Sequence, residues 1–347
     1  MKNSKGFTLV EMAVVIIVTG VMTILLSPVF SSMSTAQKNA YQERNRLNNQ
    51  IIGNALLSYA ANSTLLGRLP TPYTGSGWTK TVYNPDDSST SGTLLTQTLN
   101  QTGLSTSEIN ADGKSALNVR AYQLVQNLYM EVPLYFKSGP VVTLTYDFGA
   151  IYLTECPKAN SSCNPRPSTG LPGVSSEMTA TNYTSWQPAD SEKPATFISS
   201  LPIQKQMLAT TVQRLDKLRD SLLSYLRTQQ MTASGGDTTN WYPNQQGLAA
   251  SGSMAGNDPA SNQGCRDGWY NLADNNVGVL PVLGLAKQEF GITAWGGVIQ
   301  YCRDYDPTGT SPENSPPHYA AIRINKYVSS GLAPDSGLAS NNIVLTL

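Results

Sequence analysis

The chain has 347 residues, room for one large domain or two ordinary ones, and 40% of them are apolar, enough for a proper core. Lys+Arg and Asp+Glu both total 23, which leaves no basis for charge-driven capture of nucleic acid or of an acidic partner. Only 13% of residues are charged, a balance that suits an exported protein with an uncharged polar surface better than a highly charged cytosolic enzyme.

Lys2 and Lys5 make a short basic head, and a mostly apolar run follows over residues 7–26. As a helix, a run of about twenty residues spans the hydrocarbon core of a bilayer. The basic flank stays on the cytoplasmic side, which places the C-terminal bulk in the periplasm. An ordinary signal peptide has a shorter apolar run and a small-residue cleavage site behind it, and Ser27-Pro28-Val29-Phe30 offers none. A plain anchor fits the length but leaves Glu11 unexplained. A carboxylate inside the span costs about 2.5–3.5 kcal/mol and normally signals a function with a partner.

Lys5-Gly6-Phe7-Thr8-Leu9-Val10-Glu11 resembles the processing site of type IV prepilins and type II secretion pseudopilins. The resemblance implies that a prepilin peptidase cuts between Gly6 and Phe7 and methylates the new amine on Phe7. Glu11 then falls where the family carries its glutamate, and Pro28 where many pilins carry a helix-bending proline. Cutting ahead of the apolar run leaves the membrane helix attached, with a cationic amine at its start. The Glu11 carboxylate can neutralise a neighbouring subunit's Phe7 amine as both enter a dry filament core, removing most of the cost of burying either charge alone. Gly20 and Pro28 weaken the helix, and a bend or partial melting is expected at Pro28. The resemblance covers about thirty residues and so implies a class of protein, not its specific role.

Residues 30–62 continue as an amphipathic helix, polar over 36–50, with Leu47, Ile51, Ile52, Ala55, Leu56 and Tyr59 at helical spacing. A break follows at Gly67-Arg68-Leu69-Pro70-Thr71-Pro72. Residues 116–131 are predicted helical, with Leu117, Tyr122, Leu124, Val125 and Leu128 apolar, and 140–154 as two strands around Asp147-Phe148-Gly149. Residues 156–202 carry seven prolines and no clear period, the pattern of a long loop or linker. A second strong helix is predicted over 204–231, with Leu208, Val212, Leu215, Leu218, Leu222, Tyr225 and Leu226 as its stripe. Leu-Leu-Ser-Tyr occurs at 56–59 and again at 222–225, which is compatible with an internal duplication or with chance. Strands are predicted over 277–285, 293–303, 319–327 and 343–347. The Trp295-Gly296…Tyr301 stretch faintly resembles the segment leading into the sheet of secretion pseudopilins.

The four cysteines, Cys156, Cys163, Cys265 and Cys302, read as two disulfides in an exported chain. Three pairings are open, and the sequential one, 156–163 with 265–302, is favoured. No Cys-x-x-Cys occurs and His318 is the single histidine, which argues against zinc. Some relatives in the secretion branch bind calcium in a loop, and here Asp304, Asp306 and Asp274-Asn275-Asn276 carry oxygen ligands. Neither stretch follows the twelve-residue calcium pattern, so both read as solvated turns. No Walker loop, nucleophile elbow or His-Glu-x-x-His appears, and His318 reads as a surface loop residue. The aromatics Trp241, Tyr242, Trp269, Tyr270, Trp295, Tyr301 and Tyr305 read first as core, and second as a stacking surface for a glycan or receptor.

The expectation is an α+β protein: a leader at 1–6, a transmembrane and filament-core helix at 7–29 and an amphipathic helix at 30–62. A first periplasmic lobe at 63–203 and a second helix-plus-sheet lobe at 204–347 follow, with a pilin-like antiparallel head. The expected partners are other pilin subunits, prepilin peptidase and the inner membrane, with a surface receptor or glycan besides. No cofactor, metal or enzymatic activity is expected.

Overall fold

The computed structural model describes residues 9–62, 65–72, 90–109, 119–135, 138–154, 177–188, 195–244, 263–266, 268–307 and 317–347. These form an α+β protein with a long N-terminal helix, a second long helix and two antiparallel sheets. Helix α1 (Leu9–Ala60) has 52 residues and, at 1.5 Å each, is about 78 Å long. Pro28 lies inside it without ending it, so the melting expected there is not seen. Pro28 withholds one backbone donor. Hydroxyls of the next turn bond back to the chain, Ser31 Oγ to the Pro28 carbonyl at 3.0 Å and Ser32 Oγ to the Val29 carbonyl at 2.8 Å.

Helices α2 (Thr90–Asn100) and α3 (Thr106–Ile109) pack beside the C-terminal half of α1. The first sheet has the order β1-β2-β3, from β1 (Val119–Tyr135), β2 (Ser138–Thr154) and β3 (Ala195–Ser199). The helix expected over 116–131 is therefore a strand from Val119 onward. A β-bulge explains the misreading. Val125 pairs with Phe148 and Leu128 with Tyr146, leaving Gln126 and Asn127 opposite Asp147, with Asn127 at φ 60°. The extra residue puts Val125 and Leu128 on one face three positions apart, which imitates helical spacing. Both faces of the hairpin are also covered, which erases polar alternation. Tyr122 and Ile151 pack on Ile52 and Leu56 of α1, while Val125 and Tyr152 pack with Met178 and Trp186 on the other side.

The two strands expected over 140–154 are one. Gly149 serves close approach rather than a turn, since a Cβ there would lie 2.8 Å from the Tyr122 ring. The predicted loop over 156–202 falls partly outside the described residues, but it contains β3 and, from Leu201, the start of helix α4 (Leu201–Thr232). That helix appears where expected, with Leu208, Leu215, Leu218 and Leu222 buried.

The second sheet, in order β4-β5-β6-β7, comprises β4 (Tyr270–Asn271), β5 (Gln300–Cys302), β6 (Ala321–Asn325) and β7 (Asn342–Thr346). The closing strands follow expectation, whereas 277–285 does not form a strand. It holds the short helix α5 (Val279–Val282), followed by α6 (Lys287–Phe290). Pro281 has no donor for a ladder. The Leu285 amide instead bonds back to the Leu280 carbonyl at 2.9 Å around Gly284, whose φ is 69°. The α4 stripe packs with Trp295, Ile299, Tyr301, Ile322 and Ile324, and also with Leu134, Val142 and Leu144 from the far end of the first hairpin. The β1–β2 hairpin is thus a shared beam. One end lies under α1, and the other belongs to the core of α4 and the second sheet.

Candidate assembly helix and its anchorage

The N-terminal part of α1 has no partner within the described residues. Its large apolar side chains are exposed, from 44% at Leu26 to 70% at Val10, and the consecutive residues Val14 to Val18 are all more than half exposed. Consecutive helical residues point in every direction, so this is an apolar cylinder and not one stripe. Its most apolar stretch has a mean hydropathy of 2.5 and is long enough to cross a membrane. Glu11 lies on this helix. Gly6 and Phe7, the residues of the expected cut, lie outside the described residues.

Past Met33 the helix is polar and uncovered to Arg44, apart from the half-buried Gln42, and from Asn45 it is held. The buried seam is Asn45, Asn48, Asn49, Ile52, Leu56 and Ala60. It is rotated from the predicted stripe: Leu47 and Ile51 face outward at 45% and 39% exposure. Gly53 allows the closest contact with the sheet, because a Cβ there would lie 3.0 Å from Ile198 on β3.

Two of the three buried asparagines, Asn45 and Asn49, are explained by Arg120, which is fully buried on β1. Its guanidinium donates to Asn49 Oδ1, to Asn45 Oδ1 at 3.2 Å, and to the carbonyls of Ile109 at 3.0 Å and Glu108 at 3.0 Å. Burial pushes Arg120 down to about 10, opposed by the nearby Tyr41, so at neutral pH the cation is retained and solvated by neutral oxygens. Arg44 adds an outer tie to Glu108 at 3.0 Å. Hydrogen bonds from the Ser105 amide and hydroxyl, then from Arg44, hold the Glu108 carboxyl below its usual range.

A second anchor sits where α1 gives way to the rest of the head. Asp147, fully buried on β2, accepts Arg68 Nε at 2.9 Å and Nη2 at 2.7 Å, and the amides of Leu69 at 3.0 Å and Asn127 at 3.2 Å. Its own amide donates to Ser200 Oγ at 2.9 Å, and the Ser200 amide returns a bond to its carbonyl at 3.0 Å. One residue therefore joins the exit of α1, the bulge and the start of α4. The sequence showed Asp147 only as the apparent centre of a turn. An acidic residue inside a run of β-branched and aromatic residues was the available signal that it is buried and paired.

Cys265 and Cys302 form a disulfide with Cα atoms 5.9 Å apart, as the sequential pairing requires, while Cys156 and Cys163 lie outside the described residues. Asp304 and Asp306 are not solvated: both are buried and face Arg266, at 3.9 Å and 3.0 Å. Lys287 Nζ caps the carbonyls of Asp274 and Asn275 at 2.8 Å and 2.7 Å. Protein cations thus occupy both stretches considered for calcium, and no cluster of three metal-ligating side chains occurs among the described residues. His318 is half-buried, with Nε2 2.6 Å from the Thr238 carbonyl oxygen. Of the C-terminal aromatics, Tyr242, Trp269, Tyr270, Trp295 and Tyr301 are core, whereas Trp241 and Tyr305 stay partly open.

Residues 1–27 match a family model described as the prokaryotic N-terminal methylation motif, the signature of type IV prepilins and pseudopilins. No curated protein and no solved structure matches the chain.

Proposed function

We propose that this chain is a membrane-inserted subunit of a type IV pilus or related filament, a minor or specialised one whose enlarged head serves adhesion or the initiation of assembly. The observation that carries the proposal is the division of α1. Its apolar cylinder sits behind a methylation motif and leaves every side exposed, while Arg120 and Asp147 fix the other end to the head. Prepilin peptidase cuts between Gly6 and Phe7, the methylated Phe7 amine pairs with Glu11 of a neighbouring subunit, and the head faces the periplasm until assembly. The minor role follows from bulk, since so large a head is hard to repeat densely around a filament. The chain acts by assembly and contact, without catalysis.

Substitution Glu11→Ala tests this directly. The protein is expected to insert into the inner membrane as before but to disappear from filaments sheared off the cells, as counted by quantitative mass spectrometry. Undiminished incorporation would sink the assembly reading. In the unsubstituted strain, a trace amount with methylated Phe7 supports the minor role and dominance makes it the main building block. Absence from surface filaments moves it to a pseudopilus in protein secretion.

A further inference from the structure

The described residues of the head form a cleft. It has a volume of about 260 Å³, lies at the C-terminal end of α4, and is lined by Leu226 and Gln230 on one side and Asp237, Trp241 and His318 on the other. It is smaller than the ~300–1,000 Å³ typical of drug-sized sites, and so fits a group of about one ring. Trp241 Nε1 is buried without a hydrogen-bond partner among the described residues, so the surface its ring gives the cleft is carbon. Bonds from the Thr239 side chain and amide, the latter at 2.8 Å to Oδ1, hold the Asp237 carboxyl below its usual range, and it is ionised at neutral pH. The His318 Nε2 contact is with a carbonyl, which only accepts, so Nε2 is the donor there.

The lining offers neither an anion site nor a metal site. No Lys or Arg is present to hold an anion, and a single carboxylate without a metal-ligating cluster does not hold a metal ion. An apolar aromatic wall beside a carboxylate, an amide and an imidazole suits a neutral ring with one C–H face and a rim of hydroxyls. We propose that this cleft binds a neutral saccharide unit, its C–H face against Trp241 and its hydroxyls bonded to Asp237 and Gln230. The proposal rests on the adhesion reading and gives it a ligand class.

The test is saturation-transfer NMR on the full chain in phosphocholine micelles, which carry no sugar head groups. The probes are the methyl glycosides of glucose, galactose, mannose and N-acetylglucosamine. At least one should receive saturation, weakened about tenfold by Asp237→Asn and abolished by Trp241→Ala. Asp237 is exposed, so its variant keeps the fold even if that of Trp241 does not. No transfer to any probe, or transfer that survives both substitutions, overturns the proposal. Attachment of cells lacking the chain separates the two readings. Saccharide binding with unimpaired attachment keeps the site and removes the adhesion role. Impaired attachment with no saccharide binding keeps adhesion and removes the site.

Discussion

The two long helices of this protein share a four-residue stretch and solve opposite problems. Helix α4 buries one stripe and leaves its other face to solvent, so its stability is settled inside the head. Helix α1 does the same only over its last turns, where Ile52, Leu56 and Ala60 are buried. Before them its apolar surface is uncovered by the described residues, a surface that suits lipid or other chains. Where the two carry the same Leu-Leu-Ser-Tyr, the burial agrees residue by residue. Leu56 and Leu222 are fully buried, Leu57 and Leu223 partly, Ser58 and Ser224 are exposed, and Tyr59 and Tyr225 lie between. A helix segment is thus defined by what it faces, and α1 faces two different media along one axis.

The largest expected effect comes from removing that shared leucine from both helices. Leu56→Ala and Leu222→Ala should each destabilise the head by about 2–5 kcal/mol. They sit in separate apolar clusters, so the double variant should sum the two to within about 0.5 kcal/mol. Denaturant unfolding followed by circular dichroism measures this, and strong non-additivity would mean that the two helices share one core after all.

Asp147→Asn attacks the point where the exit of α1 meets the start of α4. It leaves Arg68 without its carboxylate beside a buried amide, at a cost of about 3–4 kcal/mol. That lies low in the range for buried pairs because Arg68 keeps 31% of its side chain exposed. The same unfolding experiment should show both helices destabilised together, and loss of α1 contacts alone would contradict a common joint.

The smallest effect separates the two by pH. The Glu108 carboxyl is lower in the folded chain than in the unfolded one. Its contribution is therefore complete above the ordinary glutamate range and is lost as pH falls through the depressed value. Amide exchange at residues 45–49 should quicken in that acid range while that of 208–222 stays level, and carboxyl NMR titration of Glu108 should place the transition.

Much of this architecture is legible in the sequence where one periodicity has one cause. The membrane run, the α4 stripe, the closing strands and the Cys265–Cys302 pair are of that kind. The failures share a different physics. β1 reads as a helix because a bulge changes a period of two into a step of three. Residues 277–285 read as a strand because apolar content outweighed Pro281 and Gly284. Arg120 was invisible because a buried charge looks in sequence like any other. Asp147 was signalled only by the β-rich run around it, and for both only the partners, 79 and 71 residues away at Arg68 and Asn49, reveal the task. The motif residues Gly6, Phe7 and Glu11 were read from local pattern alone, and they lie within the stretch that matches the methylation-motif family model.

The uncovered length of α1 sets a distance. From Val10 to Tyr41 every described side chain of the helix is exposed, over about 47 Å, against a hydrocarbon core of about 30 Å. A span through the bilayer would therefore leave roughly 15 Å of exposed helix ahead of Gln42, the first half-buried residue. Under the proposed function that length of helix would carry the head clear of the lipid surface before assembly.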